Sequence, residues 1–226
     1  MIGHALRRWW RAWRSVPVFE LPELVSLDLE TSSLDAGSAA ILSIAAVPVR
    51  DRRILLSERF ECIVQAGAAV DPEAVKYHRL RPVDVEHGAP PEQAVAALLN
   101  WLAGRPLLGY CIGFDCAVIE RVLGQPGTGR ASAPGLDGPR LDLRELFRHR
   151  ELRRNPHDTP PQALDDILAA LGIPAAGRHT ALGDATAVAM AFLELKHGTP
   201  RKVATAPRPR EERAGPGIGN VGTTGQ

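Results

Sequence analysis

The chain has 226 residues, 45% of them hydrophobic and 23% charged, enough to bury the core of one ordinary domain with tails and too few for two domains without strain. A formal net charge of +1 gives no global basic field, so any hold on a polyanion has to come from local patches or bound cations. Three cysteines at irregular spacing, Cys62, Cys111 and Cys116, exclude a paired CxxC zinc framework and read as reduced thiols of a cytoplasmic protein.

Residues 1–19 read as a separate amphipathic helix. Leu6, Trp9, Trp10 and Trp13 recur at i, i+3, i+4 and i+7, with Arg7, Arg8, Arg11 and Arg14 mostly around the rest of the helix. Its tryptophan face either lies on the domain's own surface or docks on a partner protein, a membrane surface or nucleic acid; the residues leave these open. Ser15 to Glu20 follow where a secretory signal would need a long apolar region, so none is read here. The longest apolar stretch, residues 39–49, is too short to span a bilayer and is interrupted by Ser43 and Pro48, so no integral membrane segment is expected.

From Leu24 the period changes to two. Val25-Ser26-Leu27-Asp28-Leu29-Glu30 alternates apolar and polar residues as a strand; Ala40 to Arg50 predicts a second strand and Arg53 to Val64 a third, with Asp51-Arg52 at the turn between them. Short connections between these three suggest an antiparallel meander. A helical stretch over 73–78 follows, then an amphipathic helix from Glu92 to Leu102. Pro106 to Ile112 is a nearly continuous apolar run expected of a buried strand, and Cys116 to Leu123 continues as a helix, placing Asp115 at the junction. Residues 124–139, rich in glycine and proline, form a loop before Arg140-Leu141-Asp142-Leu143 resumes order. Helices are predicted over Gln162 to Leu171 and about Ala181 to Lys196, and residues 199–226 read as a disordered tail.

The chemistry lies in the acids. Asp28 and Glu30, two apart on a strand, leave the same face, where two carboxylates repel unless a cation lies between them. Taken singly, each acid has an ordinary use. Asp28 and Glu30 suit a solvated strand face, Asp115 suits a helix N-cap, and Asp184 complements the positive end of the last helix. His179, five residues before Asp184, would point about 140° away from it on a continuous helix. If the two act together, His179 must lie in the loop entering the helix, with Thr180 as the N-cap.

Their order along the chain carries more than any one of them. Ser26-Leu27-Asp28-Leu29-Glu30-Thr31, then Gly113-Phe114-Asp115, then Arg178-His179-Thr180-Ala181-Leu182-Gly183-Asp184-Ala185 together resemble the DEDDh (DnaQ-like) family of 3′–5′ exonucleases, which includes the proofreading epsilon subunit of bacterial DNA polymerase III. The resemblance covers Leu24 to Lys196 and makes 20–198 an exonuclease domain. It implies an α/β fold of the ribonuclease-H-like type, a mixed sheet with helices on both faces. It further implies that Asp28, Glu30, Asp115 and Asp184 hold two divalent cations, Mg2+ or Mn2+, with His179 as general base. The substrate would be the 3′ end of a single-stranded nucleic acid, DNA favoured, releasing nucleoside 5′-monophosphates in proofreading or repair. Thr31 and Leu34 would meet the terminal nucleotide, Leu34 as an apolar wedge, with Phe114 beside them and Tyr110 either stacking on a base or packing. An exoribonuclease, or a catalytically silent nucleic-acid-binding or docking module on the same fold, remains the alternative.

The chain departs from the family pattern in three places. Tyr110 and Cys111 stand where many members carry histidine and asparagine, and Ser33 stands where a glycine is usual. Two basic clusters, Lys76, His78, Arg79 and Arg81, and Arg144, Arg148, Arg150, Arg153 and Arg154, suit phosphate contact; the second, interspersed with Glu145 and Glu151, equally suits a solvated face of ion pairs.

Overall fold

The computed structural model describes residues 21–66, 75, 79–124 and 135–198. The helix expected over 1–19, the helical stretch over 73–78 apart from Val75, and the tail from 199 lie outside the described residues.

Six strands, β1 (Glu23–Thr31), β2 (Ile41–Arg50), β3 (Arg53–Ile54), β4 (Phe60–Ile63), β5 (Leu107–Gly109) and β6 (Arg140–Asp142), form one sheet in the order β3-β2-β1-β5-β6, with β4 also paired to β2. β1 runs antiparallel to β2 and parallel to β5, and β5 is parallel to β6, so the sheet is mixed. The expected meander is there, with a correction: the third strand is not continuous. A single 3-10 turn at Leu56–Glu58 interrupts it, and the two pieces meet different stretches of β2, Val49 and Arg50 for β3, Ser43 to Ala46 for β4. Asp51 and Arg52, both at positive φ, make the tight hairpin turn read from the sequence.

β1 is central, so both of its faces are covered. Val25, Leu27 and Leu29 pack with helices α2 (Pro91–Leu102) and α3 (Ile112–Val122) in one core. Leu24 joins Val47, Leu108 and Leu141 beneath α4 (Leu143–Arg154), α5 (Leu164–Leu171) and α6 (Ala181–His197) in a second core on the opposite face. A short helix, α1 (Pro82–Val85), adds Val85 to a third, smaller core with Leu42 and Ala66. Val188 and Phe192 of α6 are buried in the second core, each side chain contributing on the order of 1.5–3 kcal/mol of transfer free energy. Period-two patterning alone makes Ser26 a surface residue, yet α6 covers it completely, and its hydroxyl donates to the Ala185 carbonyl at 2.7 Å. That bond fixes α6 over β1 and sets what faces Asp28 and Glu30.

No helix among the described residues is long and apolar enough to cross a membrane.

Candidate active site

Asp28, Glu30 and Asp184 each offer a carboxylate oxygen within 4.8 Å of the others. The first two stand on the α6 side of β1, and the third is the fourth residue of α6. Immediately beyond Glu30 the β1–β2 register shifts, Glu30 facing Ser43 and Thr31 facing Ile41. Such a bulge re-aims the residues after it.

Asp184 is placed by the entry to its helix. Thr180 caps α6, its Oγ1 accepting from the Gly183 N–H at 3.1 Å and donating to the Gly177 carbonyl at 2.8 Å. His179 lies just outside with a left-handed φ of 65°, as its spacing from Asp184 required, and its backbone N–H donates to Asp184 Oδ1 at 3.1 Å. The turn is tight enough that a β-carbon on Gly183 would collide with the Gly177 carbonyl, so glycine is needed there.

Asp115 differs from its expected setting. Cys111, not Asp115, occupies the N-cap of α3, and Asp115 is the fourth residue of that helix, buried. β5 pairs with only Val25 and Ser26 of β1, so the Leu29 N–H beyond it has no strand partner on that side; Asp115 Oδ1 accepts it at 3.1 Å. Gly109, at the end of β5, makes room for this, since a β-carbon there would press on Ile112 Cδ1 at 2.7 Å and on the Leu27 carbonyl at 3.1 Å. Asp115 thus stands outside the three-carboxylate group while remaining close enough for its charge to act on Asp28.

The electrostatics are those of crowded acids. Burial, then the charges of Asp115, Asp184 and Glu30, hold the Asp28 carboxyl well above the usual carboxylate range, with Arg178 opposing. Burial and Asp184 push Glu30 up to about 7, Arg178 again opposing. Asp115 is pushed up to about 8, chiefly by burial, with Asp142 and Glu30 adding and its backbone hydrogen bonds acting the other way. Glu30 Oε1 is buried and has no hydrogen-bond partner. An orphaned carboxylate oxygen among hard oxygen donors is the arrangement a Mg2+- or Mn2+-sized cation satisfies, so the residues present fit such a group.

The residues expected to meet substrate are spread around this group. Leu34, in the turn after β1, is 93% exposed. Thr31 Oγ1 donates to the Ser33 carbonyl at 2.8 Å, and half-buried Phe114 packs on the first core. Tyr110 packs against the second core and its hydroxyl donates to the Gln162 carbonyl at 2.7 Å. From Glu30 a groove of about 480 Å³ runs between β2, β4 and the start of α6, lined by Ser43, Leu56, Ile63, Leu80 and Thr180 among others. In the basic clusters, Arg81 pairs with Asp84, Arg148 with Glu145, and Arg150 and Arg154 with Glu151. The α4 arginines are therefore largely spent on an ion-paired face.

Residues 25–192 match the model of the family described as Exonuclease. The chain belongs to the exonuclease family. The resemblance carried by the three acidic motifs holds at that level. It is 26% identical over 140 residues to a PolC-type DNA polymerase III of Lacticaseibacillus paracasei, which covers 61% of this chain and 9% of the polymerase. Its fold matches E. coli exonuclease I in complex with a dT13 oligonucleotide, at a TM-score of 0.62 and 18% identity over 77% of this chain and 41% of that one. The zinc-bound form of the E. coli exonuclease I complex with single-stranded DNA matches at a TM-score of 0.61 and 20% identity, over 76% and 40%. The ribonuclease-H-like sheet with helices on both faces is thereby borne out. The chain spans less than half the length of each of these proteins. Divalent-metal dependence is a property of the family, and the carboxylate group is compatible with it.

Two residues at this site escaped the sequence reading. Arg178 carries no local signal of its contact with Asp184. Asp142 repeats the strand-to-helix position assumed for Asp115 and takes the capping role expected there, accepting from the Arg144 N–H at 3.0 Å and the Cys111 N–H at 3.3 Å. Cys111 itself sits at φ 56°, ψ 37°, a left-handed conformation that asparagine tolerates far better than cysteine. Cys111→Asn is expected to stabilise the protein by about 1 kcal/mol, raising the thermal midpoint by roughly 2–4 °C in a melting experiment; an unchanged or lower midpoint contradicts the strain.

Proposed function

We propose that the chain is a DEDDh-type 3′–5′ exonuclease that removes nucleoside 5′-monophosphates from the 3′ end of single-stranded DNA. The observation that carries this is the meeting of Asp28, Glu30 and Asp184 around the partnerless Glu30 Oε1. On this reading those three, with Asp115, hold two divalent cations, Mg2+ or Mn2+. When bound, such cations activate water and stabilise the charge that develops as the phosphodiester breaks.

The remaining work falls to the protein's own groups. His179, held at the mouth of α6 by its left-handed turn and by the bond from its N–H to Asp184, takes the proton of the attacking water on an imidazole nitrogen. Leu34 presents its exposed side chain to the terminal base, Thr31 and Phe114 border that nucleotide, and Tyr110 takes a packing role on the second core. The groove leading from Glu30 offers a path for the strand.

DNA is favoured over RNA because the solved structures that share the fold hold deoxyoligonucleotides and the sequence relative is a DNA polymerase. The polymerase likeness also supports a proofreading or repair role, with residues 1–19 as the segment that would dock on a polymerase. A cytoplasmic setting suits that role.

The test is a 5′-labelled single strand incubated with the full chain and manganese. Stepwise loss from the 3′ end is expected, abolished by chelator and faster on DNA than on a matched RNA. Cleavage at internal bonds, or no shortening at all, would remove the reading; faster shortening of RNA would replace its substrate.

A further inference from the structure

The carboxylate group has a resident positive charge, Arg178, to which the resemblance gives no role. The Arg178 side chain is only 12% exposed, and its guanidinium is shared between two acids. Nε donates to Asp165 Oδ1 at 2.7 Å, in the first turn of α5, and a terminal nitrogen forms an ion pair with Asp184 Oδ1. Asp184 Oδ1 also accepts the His179 N–H, so a single oxygen of the three-carboxylate group is held by a cation and a backbone donor together. Asp165, by contrast, is 58% exposed and anchors the guanidinium from outside the group.

We propose that Arg178 is a positioning residue that acts as a built-in counter-cation, holding Asp184 in the absence of metal and competing with the divalent cation for it. The proposal rests on the metal-binding reading of Asp28, Glu30 and Asp184. Three carboxylates within 4.8 Å of one another are mutually repulsive, and a fixed guanidinium offsets part of that repulsion before any metal arrives. The same charge raises the cost of bringing in a dication. It both repels the incoming ion and occupies the oxygen that the ion would take. Arginine suits the task because it stays protonated at every working pH and its planar fork reaches Asp165 and Asp184 at once.

The two effects predict opposite responses to one substitution. Arg178→Gln, and Arg178→Met, which keeps the apolar stem, remove the charge. In the full chain, each is expected to lower the thermal midpoint in chelator and to bind Mn2+ about tenfold more tightly by titration calorimetry. Each should also gain more thermal stability from saturating Mn2+ than the wild type does. A merely structural arginine would lower the midpoint without tightening Mn2+ binding, so an affinity equal to or weaker than wild type overturns the proposal. So does a variant that stays unfolded at saturating Mn2+, because the cation would then be unable to replace the guanidinium. Failure of the wild type itself to bind Mn2+ overturns the metal reading along with it, whereas wild-type binding with no gain in the variants overturns the role of Arg178 alone.

Discussion

Asp28→Asn is expected to slow strand shortening by about 10³-fold or more while making the metal-free protein more stable. Asp28 lies on the central strand, where Asp115, Asp184 and Glu30 all disfavour its charge. Asparagine keeps its shape and removes the charge. A neutral amide is a poor ligand for a hard dication, and loss of several kcal/mol of charge stabilisation in the transition state corresponds to a factor on the order of 10³ in rate. In chelator the same change relieves repulsion within the half-buried group, so the melting midpoint should rise by roughly 2–4 °C. Most substitutions at buried polar positions destabilise, which makes the paired outcome discriminating. Kinetics on a labelled strand and a melting curve in EDTA check both halves; activity within tenfold of wild type would refute the role of Asp28.

The stability of the metal-free protein should fall as pH rises, the reverse of the usual behaviour of a protein held by ionised carboxylates. Glu30 is raised from an ordinary 4.5 to about 7 and Asp115 from 3.8 to about 8, and Asp28 is raised as well. A raised carboxyl holds its proton in the folded state after the unfolded chain has released it. Its contribution is therefore favourable to folding below about pH 4 and is lost progressively as pH climbs to 7–8. Allowing for solvent at half-buried Glu30, the change amounts to a few kcal/mol, or roughly 5–10 °C between pH 5 and pH 8 in EDTA. Divalent cations bind only the deprotonated carboxylates, so Mn2+ should restore stability most at pH 8 and least at pH 5. Scanning calorimetry at the two pH values, with chelator and with Mn2+, measures this. A midpoint in EDTA that climbs between pH 5 and pH 8 contradicts the charge arrangement described here.

Much of the fold was legible because its signals are local. The alternation from Val25 to Glu30 and the apolar run from Leu107 mark strands, glycine and proline mark breaks, and the heptad-like spacing of Val95, Leu98, Leu99 and Leu102 marks α2. The cap at Thr180 followed from its residue type, and the position of His179 outside the helix from the premise that it acts with Asp184, since residues five apart cannot share a helix face. The broken third strand was not legible. A 3-10 turn costs little locally and is revealed only by the slip in pairing with β2.

Taken by itself, the order of amino acids determined the family, the same-face placement of Asp28 and Glu30, and the entry of α6, all of which depend on periods and caps spanning a few residues. The tertiary structure alone decided that Asp115 bonds to the unpaired Leu29 N–H, that Asp142 takes the capping role, and that Arg178 lies against Asp184. These depend on where β5 stops beside β1 and how α6 crosses the sheet. Electrostatic energy follows distance in space, and residues as far apart in the chain as Leu29 and Asp115 have no local pattern that records it.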